Sequence, residues 1–123
     1  MSAHSKKKLL IVQTKAPYGS SAIQEALDVV LAAGTFDQDV SLLISEDACY
    51  QLLSAQSPEL IDQKNTAKML NALSIYGIDK VYLDAEQASI RNIQTNTAAF
   101  ELQSLTQTEI QRLYQTADTI IRF

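Results

Sequence analysis

Cys49 and His4 are the chain's one thiol and one imidazole, and they limit the nucleophilic and metal chemistry it can support. A single cysteine cannot form an internal disulfide, and one His with one Cys falls short of a four-ligand zinc site. A reactive thiolate needs a helix N-terminus or a cationic neighbour. Cys49 instead follows Glu46, Asp47 and Ala48, and nearby carboxylates raise a thiol pKa. Free cysteine is also among the most buried residue types. Cys49 therefore reads as structural, with a nucleophile or sulfur carrier as the competing reading. His4 lies within residues 1–7, which read as a mobile start that cannot hold the fixed distance a catalytic pair requires.

Three other groupings could carry chemistry. The stretch Thr14 to Ser21 follows the first expected strand, where open α/β sheets present a ligand crevice. It holds one glycine and lacks both the Gly-Lys-Ser/Thr ending of a phosphate loop and the three glycines of a dinucleotide fingerprint, so it reads as a turn rather than a nucleotide site. Asp79, Asp84 and Glu86 cluster around the third expected strand. Without a His or metal partner they read as a solvated strand end rather than an acid and base pair. Tyr18, Tyr50, Tyr82 and Phe123 lie at expected element ends, and Tyr18, Tyr50 and Phe123 are candidate anchors of a protein interface. No metal and no cofactor is expected.

These groups must be positioned by elements that the apolar pattern locates. Leu9 to Val12 is a short apolar run that reads as a strand buried on both faces. Ser21 and Gln24 fit a capping box, and Ile23, Ala26, Leu27 and Val30 follow a helical period, so a helix is expected at about 20–34, with Gly34 as its stop. Val40 to Ile44 repeats the strand signal, Asp47 to Leu53 reads as a short helix, and 54–64 as a surface connection. Met69, Leu70, Leu73 and Tyr76 form the stripe of a helix at about 64–76. Asp79 to Asp84 is the third strand, Ala85 to Arg91 one or two helical turns, and Ala98 to Leu102 a weaker fourth strand. Thr106 and Glu109 then form a capping box, flanked by Leu105 and Ile110 at hydrophobic-staple positions. They open a helix over 107–117, and Thr119 to Ile121 makes a terminal strand.

Strands alternating with amphipathic helices imply right-handed βαβ units. The expected fold is α/β, a three-layer α/β/α sandwich with a mainly parallel sheet of about five strands, and 1–123 reads as one domain. That size suits a single core. With 46% hydrophobic and 20% charged residues the composition is that of a soluble globular protein. A net charge of −4 disfavours direct nucleic-acid binding. No apolar run is long enough to span a membrane, and no secretory segment is read, so a cytoplasmic protein is expected.

The order of several stretches resembles a known family: Ala16-Pro17-Tyr18-Gly19 leading into Glu25-Ala26-Leu27-Asp28, then Asp47-Ala48-Cys49-Tyr50-Gln51-Leu52-Leu53 after the second strand, and the ending Ile120-Ile121-Arg122-Phe123. Over essentially its whole length the chain is similar to the DsrE/DsrF/DsrH-like family, and most closely to its TusC (DsrF-like) branch. The resemblance implies the α/β/α fold and a role in cytoplasmic sulfur relay. Members of this branch assemble with TusB-like and TusD-like sisters into a heterohexamer of two copies each. The assembly takes persulfide sulfur from a TusA-like donor and passes it to a TusE-like acceptor for 2-thiolation of the tRNA wobble uridine. A cysteine on the TusD-like sister, at the end of the third strand, carries the sulfur.

Matching that stretch onto Lys80 to Glu86 puts Asp84 at the cysteine position, and Cys49 falls where relatives usually have an aliphatic residue. Ala48 stands where glycine is common in the branch, and the Lys6-Lys7-Lys8 start is longer. The implied role is a non-catalytic subunit with no direct contact to nucleic acid or membrane. The alternatives are a DsrF-like subunit of intracellular sulfur oxidation, a stand-alone sulfurtransferase using Cys49, and a small nucleotide-binding module using the 14–21 loop.

Overall fold

In the computed structural model the described residues are 7–16, 22–35, 38–55, 73, 78, 80–93 and 102–123. Among the described residues there are five strands: β1 (Lys8–Gln13), β2 (Asp39–Ile44), β3 (Val81–Asp84), β4 (Gln103–Leu105) and β5 (Thr119–Arg122). They form one sheet in the order β4-β3-β2-β1-β5, with every neighbouring pair parallel. The continuous apolar character of β1 and β2 follows from this arrangement. Leu10, Ile11, Val12, Leu42, Leu43 and Ile44 are each at most 1% exposed, because both faces of the central strands are covered.

The helical elements divide between the two faces. On one side lie α1 (Ala22–Thr35), a 3₁₀ segment (Glu46–Ala55) and α2 (Ala85–Ile90). Ala26, Leu27 and Val30 of α1 pack there with Ile11, Leu42, Ile44, Leu83, Ala48, Cys49 and Ala88. On the other side α3 (Gln107–Thr116) packs Ile110, Leu113 and Tyr114 against Leu10, Val12, Leu43 and Tyr82. The i, i+3, i+4 spacing of those α3 residues explains why that stripe faces the sheet. The layered α/β/α architecture expected from the alternation is thus present. The strand order has a simple origin: each crossover from β1 to β4 steps outward to the next strand, and the last returns across the opposite face to place β5 beside β1.

The helix ends show how local chemistry fixes these positions. Thr106 Oγ1 accepts the Glu109 N–H at 3.3 Å, and the Glu109 carboxylate accepts the Thr106 N–H at 2.8 Å. Leu105 and Ile110, each 5% exposed, sit in one cluster as the flanking staple pair. At the end of α2, Asn92 adopts φ 56°. Its N–H donates to Ser89 O and the Ile93 N–H to Ala88 O, a Schellman closure with buried Ile93 on buried Ala88.

Two expectations shift. A fourth strand lies at Gln103–Leu105, past the end of the 98–102 expected; of that span Leu102 is outside the strand, and residues 98–101 are outside the described set. Pairing Leu105 beside Asp84 lets one buried leucine end β4 and staple α3, a double role that the apolar run at 98–102 obscures. The short helix expected at 47–53 is a 3₁₀ segment over Glu46–Ala55. Of the helix expected at 64–76, Leu73 is helical and fully buried, and its carbonyl accepts the Ile78 N–H; the remainder lies outside the described residues.

Candidate functional site

Asp84 ends β3 and caps α2, so it stands at the carboxyl edge of the sheet. It is 6% exposed. Its Oδ2 accepts the Ser45 hydroxyl at 2.9 Å, and its Oδ1 accepts the Gln107 side-chain amide at 2.9 Å and the Gln87 backbone N–H at 3.3 Å. Ser45 follows β2 directly and is held by its own N–H on Gln13 O. Gln107 is the first residue of α3. One carboxylate thus ties together the ends of β2 and β3 and the starts of α2 and α3. Buried charge is tolerated only when hydrogen-bonded in this way. Of the other two expected carboxylates, Glu86 is exposed in the first turn of α2 and Asp79 lies outside the described residues. Among the described residues no group of three or more His, Cys, Asp or Glu could hold a metal.

Cys49 lies on the 3₁₀ segment and is fully buried, with Sγ 4.0 Å from Ile44 O. Burial pushes its thiol up to about 12 from an ordinary 9.0. Arg91 opposes that rise, while Asp84 and Asp47 add to it. At neutral pH the sulfur is a thiol, not a thiolate, and carries little nucleophilicity. Arg91 is the cation of this corner. Its guanidinium donates to Asp47 Oδ1 at 3.0 and 3.1 Å and to Gln87 Oε1 at 2.6 Å, and it lies 6.0 Å from the centre of the Tyr50 ring. It therefore bolts the end of α2 to the 3₁₀ segment.

The candidate interface aromatics have different surroundings. Tyr50 and Phe123 are half-buried and pack against the main core, and Tyr18 lies outside the described residues, as does His4. Of the 14–21 loop, Thr14 is tied to the chain's end, its N–H and Oγ1 both donating to Phe123 O at 2.8 and 2.7 Å; residues 17–21 are outside the described set. Sequence reasoning missed Ser45, Gln107 and Arg91. Gln107 carried one usable signal, its place directly after the Thr106 cap.

Residues 7–123 match the model of the DsrE/DsrF-like family. The TusC homolog of Pseudomonas aeruginosa is 31% identical over 115 residues, covering 94% of this chain and 97% of that protein. The intracellular sulfur oxidation protein DsrF of Allochromatium vinosum is 37% identical over 87 residues, 71% of this chain and 64% of that protein. The crystal structure of the ychN protein from E. coli superposes with a TM-score of 0.76 at 25% identity, over 95% of this chain and 99% of that one. With the family model matched over nearly the whole length and the same fold in a solved relative, this chain belongs to the DsrE/DsrF-like family.

Proposed function

We propose that this chain is a non-catalytic subunit of a heteromeric sulfur relay, acting as one domain in the cytoplasm. In such a relay an acceptor thiolate attacks the outer sulfur of a donor persulfide; the S–S bond breaks and the donor leaves as a thiolate. The accepting atom must be a sulfur. The observation that carries the reading is Asp84: at the edge where the family resemblance expects the carrier cysteine, this chain has a carboxylate enclosed by Ser45, Gln107 and Gln87. Cys49 offers no substitute, being buried with its thiol proton retained. The carrier then resides on a TusD-like sister, with a TusB-like sister completing a heterohexamer of two copies each. A TusA-like donor and a TusE-like acceptor serve the complex, whose product is the 2-thiolated wobble uridine of tRNA.

Likeness to the DsrF of A. vinosum supports a second reading, the same non-carrier role in intracellular sulfur oxidation. One experiment addresses the shared core: co-expression with the products of neighbouring genes, size-exclusion chromatography, then incubation of the complex with a persulfide donor and intact-mass measurement. Co-elution, with a gain of about 32 Da on a sister subunit and none on this chain, is the expected result. A chain that elutes alone, or a sulfur adduct here that disappears on Cys49→Ser, would sink it. Loss of tRNA 2-thiouridine on deletion of the gene separates the first reading from the second.

A further inference from the structure

We propose that a hollow at the amino end of the sheet, on the α3 face and away from Asp84, binds a small organic carboxylate with an apolar body. Alternation puts residues 8 and 10 of β1, 39 and 41 of β2 and 82 of β3 on that face. α3 starts at Gln107 beside Asp84 and ends at Thr116, so its last turn reaches the opposite end of the strands. There Leu113, Thr116 and Ala117 form one wall of a half-open cavity of about 120 Å³. The cavity traces to one small residue. Ser41 pairs with Leu10 in the sheet, and the next position on its own face of β2 is Leu43. A serine where its neighbours carry leucine leaves the space between β2 and the end of α3 unfilled.

The lining sets the class of ligand. Leu10, Leu113, Ala117 and the Tyr82 ring supply apolar surface, and a cavity only slightly larger, ~150 Å³, holds a benzene-sized body. Lys8, Ser41, Asp39 and Lys80 line the strand side. The Lys80 ammonium is held by Asp39 Oδ1 at 2.6 Å. Among the described residues the Lys8 ammonium and the Ser41 and Tyr82 hydroxyls have no side-chain partner. Asp118 bonds the backbone N–H of Lys8 and does not line the cavity. Two ammoniums therefore face one carboxylate, and the final carbonyls of α3 add only about half a negative charge to the opposite wall. The surplus is positive. A ligand carboxylate beside Lys8 and Ser41 answers it, with the apolar body against Leu113 and Ala117. A cationic ligand would meet Lys8 and Lys80, and an uncharged one would leave the Lys8 charge unanswered.

Titration of the full chain, followed by the NMR signals of its backbone amides, tests this with probes of one shape: benzoate, benzyl alcohol and benzylamine carry the same ring with a negative, neutral and positive end. No sister subunit is needed, so the result stands apart from the co-elution test. Benzoate should saturate with Kd on the order of 1 mM and move the amides of Lys8, Ser41, Tyr82 and Ala117. Benzyl alcohol should bind about fivefold more weakly, and benzylamine more weakly still. Lys8→Gln should weaken benzoate about fivefold and leave benzyl alcohol unchanged. Ser41→Leu should fill the hollow and abolish the binding of both. A dispersed spectrum shows whether that variant folds, and Lys8→Gln, a change on an exposed side chain, carries the test if it does not. No saturable shift up to about 50 mM benzoate, benzylamine binding as well as benzoate, Lys8→Gln binding benzoate like the parent, or a folded Ser41→Leu variant that binds like the parent would each overturn the proposal.

Discussion

The Ser45 hydroxyl donates to Asp84 Oδ2 at 2.9 Å, joining the carboxyl ends of two adjacent parallel strands. Both residues are 6% exposed, so the bond forms where an unpaired carboxylate would be costly. Gln107 completes the arrangement from the far side of the sheet, bringing the start of α3 against the start of α2. The Asp84 carboxylate is thus a structural joint between two strand ends and two helix starts.

Asp84→Ala should therefore be among the most damaging single changes in the chain. It removes the α2 cap, leaves the buried Ser45 hydroxyl without its acceptor and costs the exposed Gln107 amide a partner that water can replace, together about 2–4 kcal/mol. Asp84→Asn keeps one oxygen and the shape and should cost about half as much. Urea denaturation measures both; the midpoint should fall with the slope unchanged. Equal stability of Asp84→Ala and the parent would contradict the joint.

Cys49 sets a dependence on pH. Below about 9 its thiol is protonated in folded and unfolded chains alike, and it leaves stability unchanged. Between 9.0 and about 12 the unfolded chain releases that proton while the folded chain keeps it. The folded state then binds more protons, and stability falls as pH rises, with a slope of up to about 1.4 kcal/mol per pH unit from this group. Cys49→Ala should flatten that part of the profile. In the native protein an aromatic disulfide reagent should react only as fast as the core opens, and denaturant should accelerate it.

How far the residues alone reveal this architecture depends on sequence distance. Thr106, Glu109, Leu105 and Ile110 signal the start of α3 because their partners lie within five positions. β1 and β2 are legible because burial on both faces leaves an unbroken apolar run. β4 is displaced in the reading because three residues show no period, and Leu105 could be credited with only one of its two roles. The Asp84 joint is invisible for a different reason: Ser45 and Gln107 are 39 and 23 positions away, and only the strand order brings them to one carboxylate. Arg91 was hidden likewise, its partner Asp47 lying 44 positions before it.

Arg91→Ala should loosen the corner without unfolding the sheet. Its side chain is 19% exposed and Asp47's is 57%, so the ion pair is partly screened and worth little by itself. The Gln87 hydrogen bonds and the cation–π approach to Tyr50 at 6.0 Å add to it, for a total of about 1–2 kcal/mol. Arg91→Lys keeps the charge but not the planar fork, and should recover less than half of that loss. Hydrogen exchange localises the effect: amides of the 3₁₀ segment and α2 should exchange faster in Arg91→Ala, and those of β1 should not change.

Asn92 tests the termination of α2. At φ 56° a side chain with Cβ is held in the left-handed region, which Asn tolerates better than most residues and glycine better still. Asn92→Gly should be neutral or stabilise slightly in the folded chain, offset by the greater freedom of glycine when unfolded. Asn92→Val should cost about 1–2 kcal/mol, since β-branching is least compatible with that φ. The loss acts through the Ile93 N–H to Ala88 O closure, so the Ile93 amide should lose protection before the core does. Thermal unfolding of the two variants decides it: a Val variant as stable as the Gly variant would mean that the left-handed turn does not set the end of α2.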